Sequence, residues 1–185
     1  MVHRYYHRLN PWQQGVYRQS DLVTTVTVPA AVGLVDLTLG VGRALARGEP
    51  RALALACNEL LDRVCARLGV APPAVTVLAE RPAGQWGELH GLYNPGQGPN
   101  GTITVWMRTA RRSRVVAFRT FLRTLLHELC HHLDSALLGL SHSFHTTGFR
   151  KRESSLYEQL LPVVGAPSGA TGIPLRRETR GLDSR

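Results

Sequence analysis

The chain has 185 residues, 43% of them apolar, which is about the length of one ordinary domain and enough to bury a hydrophobic core. Its formal charge of +9 rests on 21 Arg and the single Lys151, and such a balance favours an anionic partner, although an Arg bias this strong also reflects codon composition. Three cysteines without CxxC spacing argue against a disulfide framework and a cysteine zinc ribbon and fit a reducing, cytoplasmic setting. The most apolar stretch, Leu22 to Ala46, carries Pro29, Asp36 and Arg43, which argues against a membrane span, and MVHRYYHRLNPWQQG lacks the apolar core of a secretory signal.

Residues 1–20 read as a basic, aromatic-containing arm, 21–164 as one domain, and 165–185, rich in Gly, Pro, Ser and Arg, as a flexible basic tail. After Pro29, the run AAVGLVDLTLGVGRALA predicts a helix despite its glycines. Pro50 opens another, in which Leu53, Ala56, Leu60, Val64 and Leu68 recur at helical spacing and Gly69 is the stop; Cys57 and Cys65 are core filling on it. Pro72 and Pro73 precede the β-branched strand AVTVLAE. WGELHGLYN and TITVWM, joined by a Pro/Gly/Asn loop, predict an antiparallel hairpin, with Trp86, Tyr93 and Trp106 packing on its faces. An exposed edge of that sheet is where an extended peptide would pair through its backbone.

A long helix follows from about Val115 to Leu138, with Phe118, Leu122, Leu125, Leu129 and Leu133 in one stripe and Phe121, Leu126, Cys130 and Leu137 widening it. Just before and inside it, Arg108, Arg111, Arg112, Arg114, Arg119 and Arg123 form a stretch without an acidic residue, read either as a solvated face or as a nucleic-acid patch. A last helix runs from about Gly148 to Leu161, with Phe149, Leu156 and Leu160 inward, and Pro162 ends it.

The long helix contains His127, Glu128 and His131 as HELCH, the HExxH pattern of zincins. Residues four apart lie on one helix face, so two imidazoles can reach one Zn2+ at about 2.0–2.1 Å, while Glu128 reaches the water that the metal acidifies and serves as general base. With 8 His in the chain, such a match arises by accident in only about one or two chains in a hundred. It also lies mid-helix in a core-facing run, where unpartnered His and Glu would carry a desolvation penalty. A catalytic zinc needs a third protein ligand and an open position. Leu137 stands where a metzincin would place it; Glu153 or Glu158 would make a gluzincin, and His142 and His145 in SHSFHTTGF could fold back over the metal.

HELCH followed by His145, Thr146, Thr147, Gly148 and Phe149 resembles the SprT-like (Spartan-type) metallopeptidase pattern, an HExxH helix and then HGxxF at the start of the next helix. GLYN and GTITVWM resemble the paired strands ahead of the active-site helix in small zincins. The resemblance covers about Trp86 to Leu161; Thr146 stands where the family usually has Gly, and residues 162–185 contain no cysteine for the family's zinc ribbon. It implies that His145 is the third ligand, that the fold is α+β and zincin-like, with a small, mostly antiparallel sheet packed on a central HExxH helix with additional helices, and that the activity is zinc-dependent hydrolysis of protein or peptide substrates.

Several neighbours have two readings. Asp134 could accept a hydrogen bond from a ligand imidazole or be a surface carboxylate. His132 points away from the histidine pair and reads as an exposed helix residue. Cys130 reads as core, and Tyr157 or Arg150 as an oxyanion stabiliser or as packing. A different class of function is also open: a nucleic-acid-associated module in which zinc only staples the helices.

Overall fold

The computed structural model describes residues 5–84, 87–110 and 112–161. Trp86, Arg111, Pro162 and the tail from Gly165 lie outside the described residues. The chain is α+β: helices α1 (Pro11–Leu22), α2 (Val35–Arg47), α3 (Pro50–Leu68), α4 (Phe118–Ala136) and α5 (Thr147–Leu160) surround a three-stranded sheet.

Residues 11–20 are not an arm. Asn10 caps α1 by accepting from the Gln13 N–H at 2.9 Å, and the Gln13 side chain accepts from the Asn10 N–H at 3.1 Å. That reciprocal pair, with Pro11 at the first helical position, starts the helix. Val16, Tyr17 and Ser20 are buried, and the helix packs on α5.

A 3-10 turn at Ala31–Leu34 leads into α2. In α3 the predicted stripe is buried at Leu53, Leu60 and Val64, joined by Cys57, Leu61 and Cys65 with no exposed surface. Asn58 ties α3 to the sheet: its amide donates to the Val75 carbonyl at 3.0 Å and its oxygen accepts from the Val75 N–H at 2.9 Å.

The sheet is formed by β1 (Ala74–Glu80), β4 (Gly91–Asn94) and β5 (Thr102–Arg108) in the order β1-β5-β4, while β2 (Ala83–Gly84) and β3 (Gly87–Glu88) make a separate antiparallel ribbon. The expected hairpin is present as β4 against β5, Gly91 opposite Val105. The sheet is mixed rather than mostly antiparallel, however. β1 runs parallel to β5, from Ala74 opposite Thr102 to Glu80 opposite Arg108. The intervening chain returns to the starting end of the sheet before β5 begins, and this sets the parallel direction. β5 is the central strand, with Ile103, Val105 and Met107 fully buried.

α4 crosses the core against β4, β5 and α5. Phe121, Leu122, Leu125, Leu126, Leu129, Cys130 and Leu133 are buried as their period requires, and Leu137, just past its end, is exposed. Among the described residues no helix is long and apolar enough to cross a membrane.

Candidate metal centre

The helical period of α4 puts His127 and His131 one turn apart, and the chain then reverses so that His145, two residues before α5, meets them. The three Nε2 atoms form a triangle: 3.2 Å between His127 and His131, 3.0 Å between His127 and His145, 3.1 Å between His131 and His145. Nitrogens each about 2.0–2.1 Å from one tetrahedral ion lie about 3.3 Å apart. The Phe149 ring, fully buried, lies 4.7 to 5.1 Å from all three imidazole centroids and gives them a common apolar floor.

The tautomers identify what these nitrogens offer. His127 Nδ1 is 3.0 Å from Glu153 Oε2; a carboxylate accepts, so Nδ1 carries the hydrogen and Nε2 presents a lone pair. His131 Nδ1 is 2.7 Å from Ser143 Oγ, whose own hydrogen goes to Asp134 Oδ2 at 2.6 Å, so this Nδ1 is again the donor. Two lone pairs therefore face each other at 3.2 Å, an arrangement that a cation between them relieves. Burial, His127 and His145 push His131 down to about 3, which keeps it neutral and available as a ligand. The donor set fits a borderline-soft divalent ion, and three histidines that could hold a metal ion are what the structure provides.

Glu128 is buried beside this cluster on the wall of a cleft of about 470 Å³ that also takes in Leu92, Tyr93, Pro95 and Leu140. Burial pushes its carboxyl above the usual range, against the opposing pull of His127 and a hydrogen bond from the Tyr93 backbone. β4 reaches this side chain because Gly91 has no Cβ: a methyl there would lie 2.5 Å from Glu128 Oε1 and 2.8 Å from its Cγ. Among the described residues no strand pairs with the outer edge of β4, which borders the cleft.

The other candidates separate by their contacts. Glu153 engages His127 through its Nδ1 and Arg150 and Arg123 at 3.7 and 3.4 Å, and it stands outside the three-nitrogen cluster. Burial raises its carboxyl, but His127, Arg150 and Arg123 outweigh that and leave it below its ordinary value. His142 is exposed, its ring 5.1 Å from Trp12 and stacked 5.7 Å from Phe144, and Glu158 is exposed on α5. Asp134 is no surface carboxylate: it is fully buried and reaches His131 through Ser143 rather than directly.

His132 does point away from the pair, but it is buried, not exposed. Its Nε2 lies 2.9 Å from the Ala71 carbonyl and its Nδ1 3.1 Å from the Tyr93 hydroxyl, partners that a helical wheel does not reveal. Cys130 is buried in the core. Arg150 contacts Glu153, and the Arg123 guanidinium sits 4.3 Å over the Tyr157 ring. Of the basic stretch, Arg108 also has a local role, donating to the Ser113 carbonyl at 2.8 Å.

Ser143, Gly91 and the floor formed by Phe149 are the parts that sequence reasoning passed over. Ser143 had a visible signal, a hydroxyl two residues before a candidate ligand, and so did Gly91, the residue that opens the strand GLYN. Compared with protein-family models, curated proteins and solved structures, the chain matches none of them.

Proposed function

We propose that this chain is a zinc-dependent peptidase of the SprT-like, zincin type, in which His127, His131 and His145 hold the ion and Glu128 is the general base. The observation that carries this reading is the convergence of three Nε2 atoms within 3.2 Å of one another next to a buried carboxylate in an open cleft. A zinc ion there supplies Lewis acidity, which makes water acidic enough to act at neutral pH and polarises a carbonyl.

The chain's own groups account for the rest. Glu128, held above its usual carboxylate range by burial, takes the proton from the attacking water and returns it to the leaving amine. Glu153 keeps Nδ1 of His127 protonated and its Nε2 aimed at the ion. The outer edge of β4 offers backbone groups to a protein or peptide substrate in extended form, a pairing indifferent to most side chains. The free, buried thiols of Cys57, Cys65 and Cys130 suit a reducing, cytoplasmic setting.

The test is zinc content together with cleavage of an unfolded protein by the wild type and by Glu128→Gln. We expect one zinc per chain in both and a loss of cleavage of at least about 100-fold in the variant, the scale of a general base. Zinc held without any Glu128-dependent cleavage would sink the peptidase reading and leave the ion as a staple between helices.

A further inference from the structure

Behind His131 lies a buried polar chain that crosses the molecule. Ser143 Oγ is 2.7 Å from His131 Nδ1 and 2.6 Å from Asp134 Oδ2. A hydroxyl has a single hydrogen; with that donated to the carboxylate, its oxygen is left to accept from the imidazole. Asp134 Oδ1 in turn accepts from Arg152 Nη2 at 2.8 Å, and both of these side chains are about 1% exposed. A buried pair of this kind needs further hydrogen bonds around it, because a buried charge with too few partners is strongly destabilising.

The Nη1 and remaining Nη2 donors of Arg152 go to the end of α1, while its buried Nε has no partner among the described residues. Nη1 donates to the Ser20 carbonyl at 2.6 Å and to the Val23 carbonyl, and Nη2 donates to Ser20 Oγ at 3.0 Å. Ser20 Oγ also lies 3.3 Å from Thr146 Oγ1, which accepts from the Phe149 N–H at 2.9 Å and so caps α5 directly after His145. The contact leaves no room for a side chain, since a Cβ on Gly148 would sit 2.5 Å from the Ser20 carbonyl oxygen.

We propose that Ser143, Asp134 and Arg152 are positioning residues for the metal ligand His131, and that Ser20 of α1 is the anchor of this relay. The inference rests on the reading of the three histidines as a metal site. The relay holds His131 in the tautomer with Nδ1 protonated and Nε2 free, fixes the plane of its ring, and makes the last turn of α1 part of the centre's support. A purely mechanical clamp, with Arg152 fastening α1 to α4 and α5, would need neither the Ser143 hydroxyl nor its contact with an imidazole nitrogen.

The experiment uses the full chain, with zinc affinity measured by chelator competition, the visible spectrum of the Co2+ form, and the melting temperature of the metal-free protein. Ser143→Ala should bind zinc about 10–100-fold more weakly and shift the Co2+ bands, while the metal-free melting temperature stays near the wild-type value. Ser143→Thr, which keeps the hydroxyl, should recover most of the affinity. Ser20→Ala should weaken binding in the same direction by less than Ser143→Ala. Ser143→Ala binding within about 2-fold of wild type, or Ser143→Thr no better than Ser143→Ala, overturns the relay while the metal site stands; Ser20→Ala at wild-type affinity removes α1 from it. A wild-type chain that binds no zinc, or whose affinity is unchanged in His127→Ala, overturns the site and the relay together.

Discussion

His131 and His132 are consecutive on α4, and the helix turns them about 100° apart, toward different sides. Both rings are removed from water to a large extent, and burial lowers the pKa of both. On the His132 side, Ala71 offers a carbonyl, which only accepts, so Nε2 carries the hydrogen and Nδ1 can accept from the Tyr93 hydroxyl. Every polar need of that ring is met inside the protein. On the His131 side, one nitrogen is satisfied by Ser143 and the other faces two more nitrogens. Burial therefore does not distinguish a structural histidine from a candidate ligand. What the second ring nitrogen meets does distinguish them.

The sharpest way to break this contrast is to remove each ring. His131→Ala should weaken zinc binding by more than about 100-fold, beyond the range of residues that merely support a ligand, whereas His132→Ala should leave the affinity within about 3-fold. Chelator competition on the two variants measures both. The order of damage reverses in stability: His132→Ala removes a buried, packed ring and its hydrogen bonds to Ala71 and Tyr93, for about 2–4 kcal/mol and a fall in melting temperature of about 5–15 °C. Similar zinc affinities in the two variants would erase the distinction.

A smaller effect sharpens the His131 side. Gly91→Ala pushes a methyl into Glu128 Oε1 at 2.5 Å, so cleavage should drop about 10–100-fold while zinc content is unchanged. Wild-type turnover in that variant would mean that the position of Glu128 against β4 is irrelevant to the chemistry. The smallest expected effect is none. Burial pushes the thiols of Cys57 and Cys65 up to about 12 and that of Cys130 up as well, so all three stay protonated at pH 8. An alkylating reagent should label none of them in the native chain and all of them after denaturation, as mass spectrometry can read.

How much of this was legible beforehand follows from the range of the interactions. The stripes of α3 and α4 are local, so their period predicted most of the buried apolar residues, while Ala56, Leu68 and Phe118 are only partly buried and Leu137 is exposed. His127 and His131 are likewise joined by four residues of one helix. The capping signal of α1, Asn10 with Pro11 and Gln13, was present in the sequence, but the helix is sparsely apolar and buries little besides Val16, Tyr17 and Ser20. The direction of β1, the burial of His132 against a carbonyl 61 positions away, and the Ser143–Asp134 contact depend on tertiary folding, and no periodicity carries them. Glu153 was a candidate for its chemistry, and only the approach of α5 to α4 shows that it grips the back of His127.

The bonds between Arg152 and Ser20 join positions 132 apart in the chain. Closing so long a loop carries more entropy loss than closing a helical turn, by about 0.6 kcal/mol for each doubling of length, and contacts of that separation slow folding. During synthesis, HELCH leaves the ribosome well before Arg152 does, with the back of His131 still unsupported. The helix that is made early, α1, thus finds its seat only when α5 exists to receive it, and completion of the three-histidine geometry is tied to the closing of nearly the whole described chain.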